Sequence, residues 1–359
     1  APARYYILGF GFYLLGLTAY ILVAILSINT ANFSPSHVLM TGSALEVIVL
    51  SFAIGDKLNL AVKEKETAQN EKMEVIRANE MLVREQNVNL EKKVVERTKE
   101  INLQKEIIEE KNKDILDSIH YAKRIQGALL ASEQMLRTHL PEHFVLYKPK
   151  DIVSGDFYWM SESQNKELFL LAGDCTGHGV PGAFMSLLNI SILHELTTGN
   201  KLNSPDKILN EQRKLIISAL NPPGSETSKD GMDCVLCKFD FNKHLLQFAC
   251  ANNPLWIIRE GKLIEFAPDK IPVGVHEGIN QDFSLQETDI RKGDQVYLLT
   301  DGFADQFGGP RGKKFKYKQL KEKLIEIADK VMEEQKIILE KIFEDWRGEL
   351  EQLDDVLII

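Results

Sequence analysis

Between residues 56 and 140 the chain has no proline and one glycine, Gly127, so nothing there interrupts a helix. Between residues 5 and 28 it has no charge at all. Cysteine is scarce too. Cys175, Cys234, Cys237 and Cys250 lie inside apolar runs, too few for a disulfide scaffold, and they suit a reducing cytosol. No basic stripe is evident along the chain, and 52 Asp+Glu against 43 Lys+Arg leave a net charge of −9, which excludes a nucleic-acid binder that works by neutralising phosphates. With 44% hydrophobic and 26% charged residues, the chain is neither wholly disordered nor purely membranous.

Apolar residues are concentrated at the start. Residues 5–28 exceed the ~20 apolar residues a helix needs to cross hydrocarbon, and a second apolar run covers residues 37–55 after the polar loop NTANFSPS. The first run is too long for a signal peptide and has no small-residue cleavage site after it. Glu46 lies inside the second run; a carboxylate there costs roughly 2.5–3.5 kcal/mol in lipid, so it is expected to face another helix. Arg4 precedes the pair of spans and Lys57, Lys63 and Lys65 follow it, while the loop at residues 29–36 carries no positive charge. Both ends are therefore expected in the cytoplasm, in a multi-pass protein of the cytoplasmic membrane in contact with lipid. The missing initiating Met reads as a fragment whose earlier spans are absent.

Residues 56–140 read as a long solvated helix. Val94, Ile101, Ile108 and Ile115 recur at the heptad interval of a left-handed coiled coil, but the positions four further on are Thr98, Lys105, Asn112 and Ile119. A half-polar seam predicts a weak parallel homodimer able to change state, or an inert spacer. His120 resembles a phospho-accepting histidine only superficially, because no nucleotide-binding segment follows it.

From His143 onward short β-type runs appear: HFVLYK, ELFLLAGD, HLLQFAC, LWIIR and QVYLLTD. Helical stretches are expected at 181–198, 205–220 and 316–350. Strands and helices do not alternate one by one, so a sheet-on-sheet α+β domain is expected. The expected organisation is two transmembrane helices at 1–55, a coiled-coil linker at 56–140 and a folded domain at 141–359. Asp156, Asp174, Asp301, Asp354 and Asp355 stand at the edges of apolar runs. Such a cluster would repel itself without cations, which points to hard divalent metals with oxygen ligands.

The ordered motifs VSGDFYW, GDCTGHGVPGAFMS, DGMDCVLCKFD, NNPLW, IPVGV, LLTDGFAD and QLDDVLII make the chain from about residue 125 resemble the stage II sporulation protein E type of metal-dependent serine/threonine phosphatase. The resemblance implies a four-layer α-β-β-α sandwich with two Mn²⁺ or Mg²⁺ ions at one edge of the sheets. Carried onto this chain, it makes Asp174 the bridging, catalytic ligand. Cys175, through its carbonyl, and Asp156 would complete one metal, and Asp301 with Asp354 would hold the other. The substrate it implies is a phosphorylated protein such as an anti-sigma-factor antagonist.

Gly177, Gly179 and Gly182 permit close backbone approach, and a helix N-terminus there could offer amides to a phosphoryl oxygen, unless the segment is only a tight turn. Gly177, Gly179 and Asp233 are thus candidate phosphate or substrate contacts. Cys234 and Cys237 have no second metal-binding pair and read as core. Cys175 stands where the family often has glycine, and Leu357 where it commonly has Thr. His178 lies four residues after Asp174, so the general-acid role of the eukaryotic DGH order is not assigned to it. The competing readings are a non-catalytic membrane scaffold and a sensor kinase.

Overall fold

The computed structural model describes residues 2–26, 34–198, 202–224, 228–276 and 281–359. The chain divides into two units, residues 1–107 and 108–359.

The first unit contains helix α1 (Pro2–Ile25) and the greater part of α2 (Pro35–Leu129). Two stretches in these helices are long and apolar enough to cross a membrane. Large apolar side chains such as Leu8, Phe10, Leu15 and Phe52 are exposed, as lipid-facing residues would be. The helices come close at two glycines, where a Cβ on Gly16 would lie 3.1 Å from Cα of Gly42. Glu46 faces α1 as expected, its Cγ lying 3.7 Å from where a Cβ on Gly9 would stand. The first helix ends at Ile25, short of the expected residue 28, and most of the expected loop at 29–36 lies outside the described residues. No break marks the expected boundary at residue 55; α2 runs through it.

In the second unit α2 ends at Leu129, and a separate helix α3 (Glu133–His139) starts with Ser132 accepting from the amide of Met135. The linker helix is therefore shorter than the expected 56–140. Strands β1 (Leu146–Lys148), β2 (Phe157–Glu162) and β3 (Leu168–Cys175) follow, then helices α4 (Gly179–Thr197) and α5 (Pro205–Leu220). Next come β4 (Met232–Asp240), β5 (Leu245–Ala251), β6 (Leu255–Arg259), β7 (Lys262–Phe266), β8 (Gln286–Asp289) and β9 (Gln295–Tyr297). The chain closes with α6 (Gly302–Asp305), β10 (Phe307–Gly308), β11 (Lys313–Lys314), α7 (Tyr317–Ile327), α8 (Met332–Arg347) and β12 (Val356–Ile358).

One sheet has the order β2-β3-β4-β5-β8, with every pair antiparallel. The second is built from β7-β6-β9 and the pair β1-β12. Residues 298–300 join these, exchanging backbone hydrogen bonds with Leu357 and Ile359. Three cores separate the layers. Leu171, Cys234, Leu236 and Ala249 meet Ile190, Leu193, Ile208 and Ile216 of α4 and α5. Val235, Cys237, Phe248, Ile257 and Leu357 pack between the sheets. Trp256, Tyr297 and Ile258 meet Leu320, Leu324, Leu339 and Phe343 of α7 and α8. This is the expected four-layer α-β-β-α sandwich.

β4 shows how sequence dictates layer. Both its faces are buried, so it reads as a nearly continuous apolar run. Cys234 and Cys237 face opposite cores, in keeping with alternation along a strand, so they cannot share one metal. The expected helix at 316–350 is instead two helices. Nothing in ADKV is a breaker residue; the stop lies at Ala328, and Gln335 donates to the carbonyl of Lys330 to close the turn. The break lets Leu324 and Leu339 enter the same core.

Candidate active site

β3 and β4 run side by side with Asp174 opposite Asp233 and Cys175 opposite Met232. The strands' ends open a cleft of about 420 Å³ lined by Asp174, Cys175, Gly177, His178, Asp233, Asn252 and Asp354, among others. Asp156 is fully buried and accepts from the hydroxyl of Thr300 at 2.7 Å. Asp301 stands at the N-cap position of α6 without a capping hydrogen bond, and Asp354 precedes β12. The fold thus gathers side chains from four widely separated parts of the sequence.

Their charges are mutually unfavourable. Burial, followed by the neighbouring carboxylates, pushes Asp156 and Asp174 well above the usual Asp range. Asp301 is pushed up to about 6 by burial and then by Asp354, Asp305 and Asp233, while a hydrogen bond from Asp174 works the other way. Burial likewise raises Asp233, which accepts from the Asn252 amide at 2.8 Å. Among the described residues no three His, Cys, Asp or Glu side chains already form a closed metal-ligating arrangement. The donors are nonetheless crowded, buried and all oxygen, and a hard divalent cation would relieve their repulsion; the set fits such a group.

The candidate residues differ in placement. Asp174, Cys175, Asp354, Gly177 and Asp233 line the cleft; Asp156, Asp301 and Gly179 are not on its wall, although Asp156 and Asp301 lie near enough to Asp174 for their charges to raise its carboxyl. Instead, a Cβ on Gly179 would come 2.9 Å from the Asp151 carboxylate. Gly177 has φ +86°, and its carbonyl abuts Gly182 and Gly155 so closely that neither could carry a Cβ. Helix α4 begins at Gly179 rather than the expected Pro181. His178 stands at its N-cap without capping it, because its Nδ1 meets Asp151 at 2.7 Å and its Nε2 meets Lys150 at 3.1 Å. The Cys175 thiol is buried, receives a hydrogen bond from Asn189 at 3.5 Å and is pushed well up by burial, so it carries no thiolate character.

Two supporting residues, Thr300 and Gln126, were not picked out in the sequence, and Asp355, expected among the clustered carboxylates, takes a supporting place instead. Asp355 turns away from the cleft and accepts from the amides of Lys150 and Gly155 at 2.7 and 2.8 Å, fixing the loop that carries Asp156. Thr300 holds the Asp156 carboxylate. Gln126, buried near the end of α2, donates to the carbonyl of Ser154 and to the hydroxyl of Ser186, and accepts from the Ser154 amide. Its only sequence signal is position: Ile119, Ala122 and Gln126 share the helix face that turns inward where charged residues thin out.

Buried carboxylates at the edge of a four-layer sandwich define the class of metal-dependent phosphatases. Residues 164–359, more than half of the chain, match the family model described as stage II sporulation protein E (SpoIIE). The SiaA-PP2C domain of Pseudomonas aeruginosa is 31% identical with a TM-score of 0.62, and the match covers 69% of this chain and 96% of that one. The chain belongs to the SpoIIE family.

Two further similar structures are the PP2C domain with a regulatory fragment of SpoIIE from Bacillus subtilis and the RsbU and RsbW domains of a Mycobacterium tuberculosis protein. The first is 19% identical, with a TM-score of 0.47 and coverage of 60% of each chain. The second is 18% identical, with a TM-score of 0.48 and coverage of 60% of this chain and 57% of that one. No curated protein matches significantly. Residues 1–57 match the model for 7TM diverse intracellular signalling. The C-terminal region is therefore a PP2C-like serine/threonine phosphatase domain joined to an N-terminal signalling region, and phosphatases of this family depend on divalent metal ions. This family membership removes the sensor-kinase reading, and His120 is an exposed residue of α2.

Proposed function

We propose that the chain is a membrane-anchored phosphatase that removes phosphate from phosphoserine or phosphothreonine on a partner protein, such as an anti-sigma-factor antagonist. The observation that carries this reading is the mutually repelling set of Asp156, fully buried, with Asp174 and Asp301, partly buried, of which Asp174 lines the cleft. A non-catalytic scaffold has no use for so costly a cluster.

In this reading Asp174, Asp156, the Cys175 carbonyl, Asp301 and Asp354 would hold two divalent ions, Mn²⁺ or Mg²⁺, with Asp174 shared between Asp156 and Cys175 on one side and Asp301 and Asp354 on the other. Such ions neutralise phosphoryl charge and make water acidic enough to attack phosphorus near neutral pH. The chain's own residues hold the site in shape. Thr300 orients Asp156, Asn252 orients Asp233, and Asp355 pins the loop before Asp156. The turn at Gly177 allows main chain close to the phosphoryl group, and Asp233 lies on the wall a substrate would enter.

The phosphatase is read as cytoplasmic, a reading supported by the positive charges flanking the two spans, and α2 is read as half of a parallel homodimer. Val94, Ile101, Ile108 and Ile115 are exposed along α2, which supports a partner helix on that face. The full chain, purified in detergent, should release phosphate from an aryl phosphate when Mn²⁺ is present and stop on chelation. No metal-dependent release would leave the scaffold reading standing.

A further inference from the structure

A whole-chain excess of acid hides one local reversal of sign. Arg311, Lys313, Lys314, Lys316 and Lys318 follow closely with no acidic residue among them, on and just after the hairpin β10–β11. Lys314 pairs with Asp305 at 2.6 Å. Arg311, Lys313, Lys316 and Lys318 are exposed, and among the described residues they make no ion pair. By contrast Lys148, Lys238, Arg259 and Lys321 are all paired.

The hairpin is held firmly. Gly308 abuts the Trp346 carbonyl, and the Gly309 amide donates to that carbonyl at 2.7 Å. Gly309 has φ +65°, and a Cβ there would lie 2.6 Å from the Trp346 ring. Phe315 packs edge-on against Trp346 and against Phe303, at centroid distances of 5.1 and 5.2 Å. Phe303 lies on α6, the helix that follows Asp301 directly. A helix of 4 residues spans about 6 Å, so the basic hairpin and the carboxylate cluster are fixed to opposite ends of one short, rigid element. Between Lys316 and Trp346 lies a recess of about 290 Å³ whose wall includes Arg311, Lys313 and Lys314.

We propose that this hairpin is a docking surface for an acidic segment of the phosphoprotein substrate, on the chain flanking the phosphorylated residue. The idea rests on the phosphoprotein reading of the cleft. A chain carrying −9 repels an acidic partner at long range, and unpaired cations one short helix away from Asp301 reverse that locally and select for acidic flanks. Lys316 adopts φ +72°, uncommon for a non-glycine residue, and the amides of Phe315 and Lys316 donate to the carbonyls of Gln306 and Ala304 at 3.0 and 2.6 Å, which hold the charged loop in that shape.

The test uses the full chain in vesicles with Mn²⁺ and compares wild type with the triple variant Arg311→Ser, Lys313→Ser, Lys316→Asn. The probes are a phosphoserine peptide flanked by Asp and Glu, the same peptide with neutral flanks, and para-nitrophenyl phosphate. For the acidic peptide, kcat/KM should fall about tenfold, mostly through KM and less so at high salt, as three lost exposed ion pairs would give. Turnover of the other two probes should not change. Anisotropy with a phosphonate version of the acidic peptide should show the same loss of binding. Equal effects on both peptides, or none, overturn the proposal. It is also overturned if the variant loses only a dependence on anionic lipid in the vesicle, which would make the hairpin a membrane contact. Should wild type release no phosphate from any probe, the phosphatase reading falls, and the anisotropy comparison still decides the docking surface.

Discussion

The carboxamide of Gln126 donates to the carbonyl of Ser154 at 2.6 Å, two residues before the buried carboxylate of Asp156. The same carboxamide accepts from the Ser154 amide and donates to Ser186 of α4, the helix that follows Asp174. One side chain at the end of the long helix thereby ties together the two segments that carry Asp156 and Asp174.

Gln126→Leu should leave the Ser154 N–H and carbonyl without partners, at a cost of about 1–3 kcal/mol for each buried unsatisfied group, while the Ser186 hydroxyl keeps its bond to the Ala183 carbonyl. The expected result is a folded protein with phosphatase activity lowered by about tenfold or more and a higher Mn²⁺ requirement, since positioning groups behind a metal typically act through affinity. Activity titrated against Mn²⁺ checks this; a variant with unchanged metal dependence would mean the Gln126 contacts only fasten the helix.

Asp174→Asn should lower turnover by at least about a hundredfold, the scale seen when a group stabilising developing charge is lost. In chelator the variant should melt no lower than wild type. Removing one charge relieves the repulsion of Asp174 with Asp156, Asp301 and Asp354. The rise in melting temperature that Mn²⁺ gives wild type should be absent. Near wild-type activity would show that Asp174 is not a metal ligand.

Acid stability should depend on Asp294. Burial alone would raise this carboxyl, but hydrogen bonds from Arg259, at 2.7 Å, and from the Arg291 amide outweigh burial and hold it below the usual range. With the folded value depressed, the stabilisation is fully present above the unfolded value of about 3.9 and fades as pH falls through the folded one. Asp294→Asn should therefore melt below wild type at pH near 6, with the gap closing towards pH 3. A gap of constant size would assign the effect to packing instead of charge.

The sequence made the layers legible where burial is one-sided or complete. β3 and β4 are apolar runs because both faces are covered, and the acidic residues at their ends stand out for the same reason. It was less informative where structure depends on distant partners. Asp354 and Asp355 are adjacent and chemically identical, yet one lines the cleft and the other clamps a loop some two hundred positions away. Nothing local distinguishes them. The break between α7 and α8 contains no glycine or proline, and it is set by how Leu324 and Leu339 fill one core. The basic hairpin was masked by the acidic total, because net charge averages over faces that never meet.

The last prediction concerns the linker. Val94, Ile101, Ile108 and Ile115 form an exposed apolar column, while Thr98, Lys105 and Asn112 occupy the alternate positions of the same heptads. A polar residue at a seam position fixes register at a cost in stability, so pairing of two copies should be weak and open to bias by a few kcal/mol. Replacing Thr98, Lys105 and Asn112 with Leu removes that weakness and should lock one pairing state. The face that carries Ile119 and Ala122 leads to Gln126, whose contacts hold the Asp156 loop, so a locked pairing should be read out as fixed activity. The measurement compares phosphate release by wild type and the triple variant in membranes, with and without the stimulus, after crosslinking has verified the dimer in both. Activity of the variant should be constant, whether high or low. A variant that responds as wild type does would reduce the polar column to a solvated spacer and disconnect the linker from the cleft.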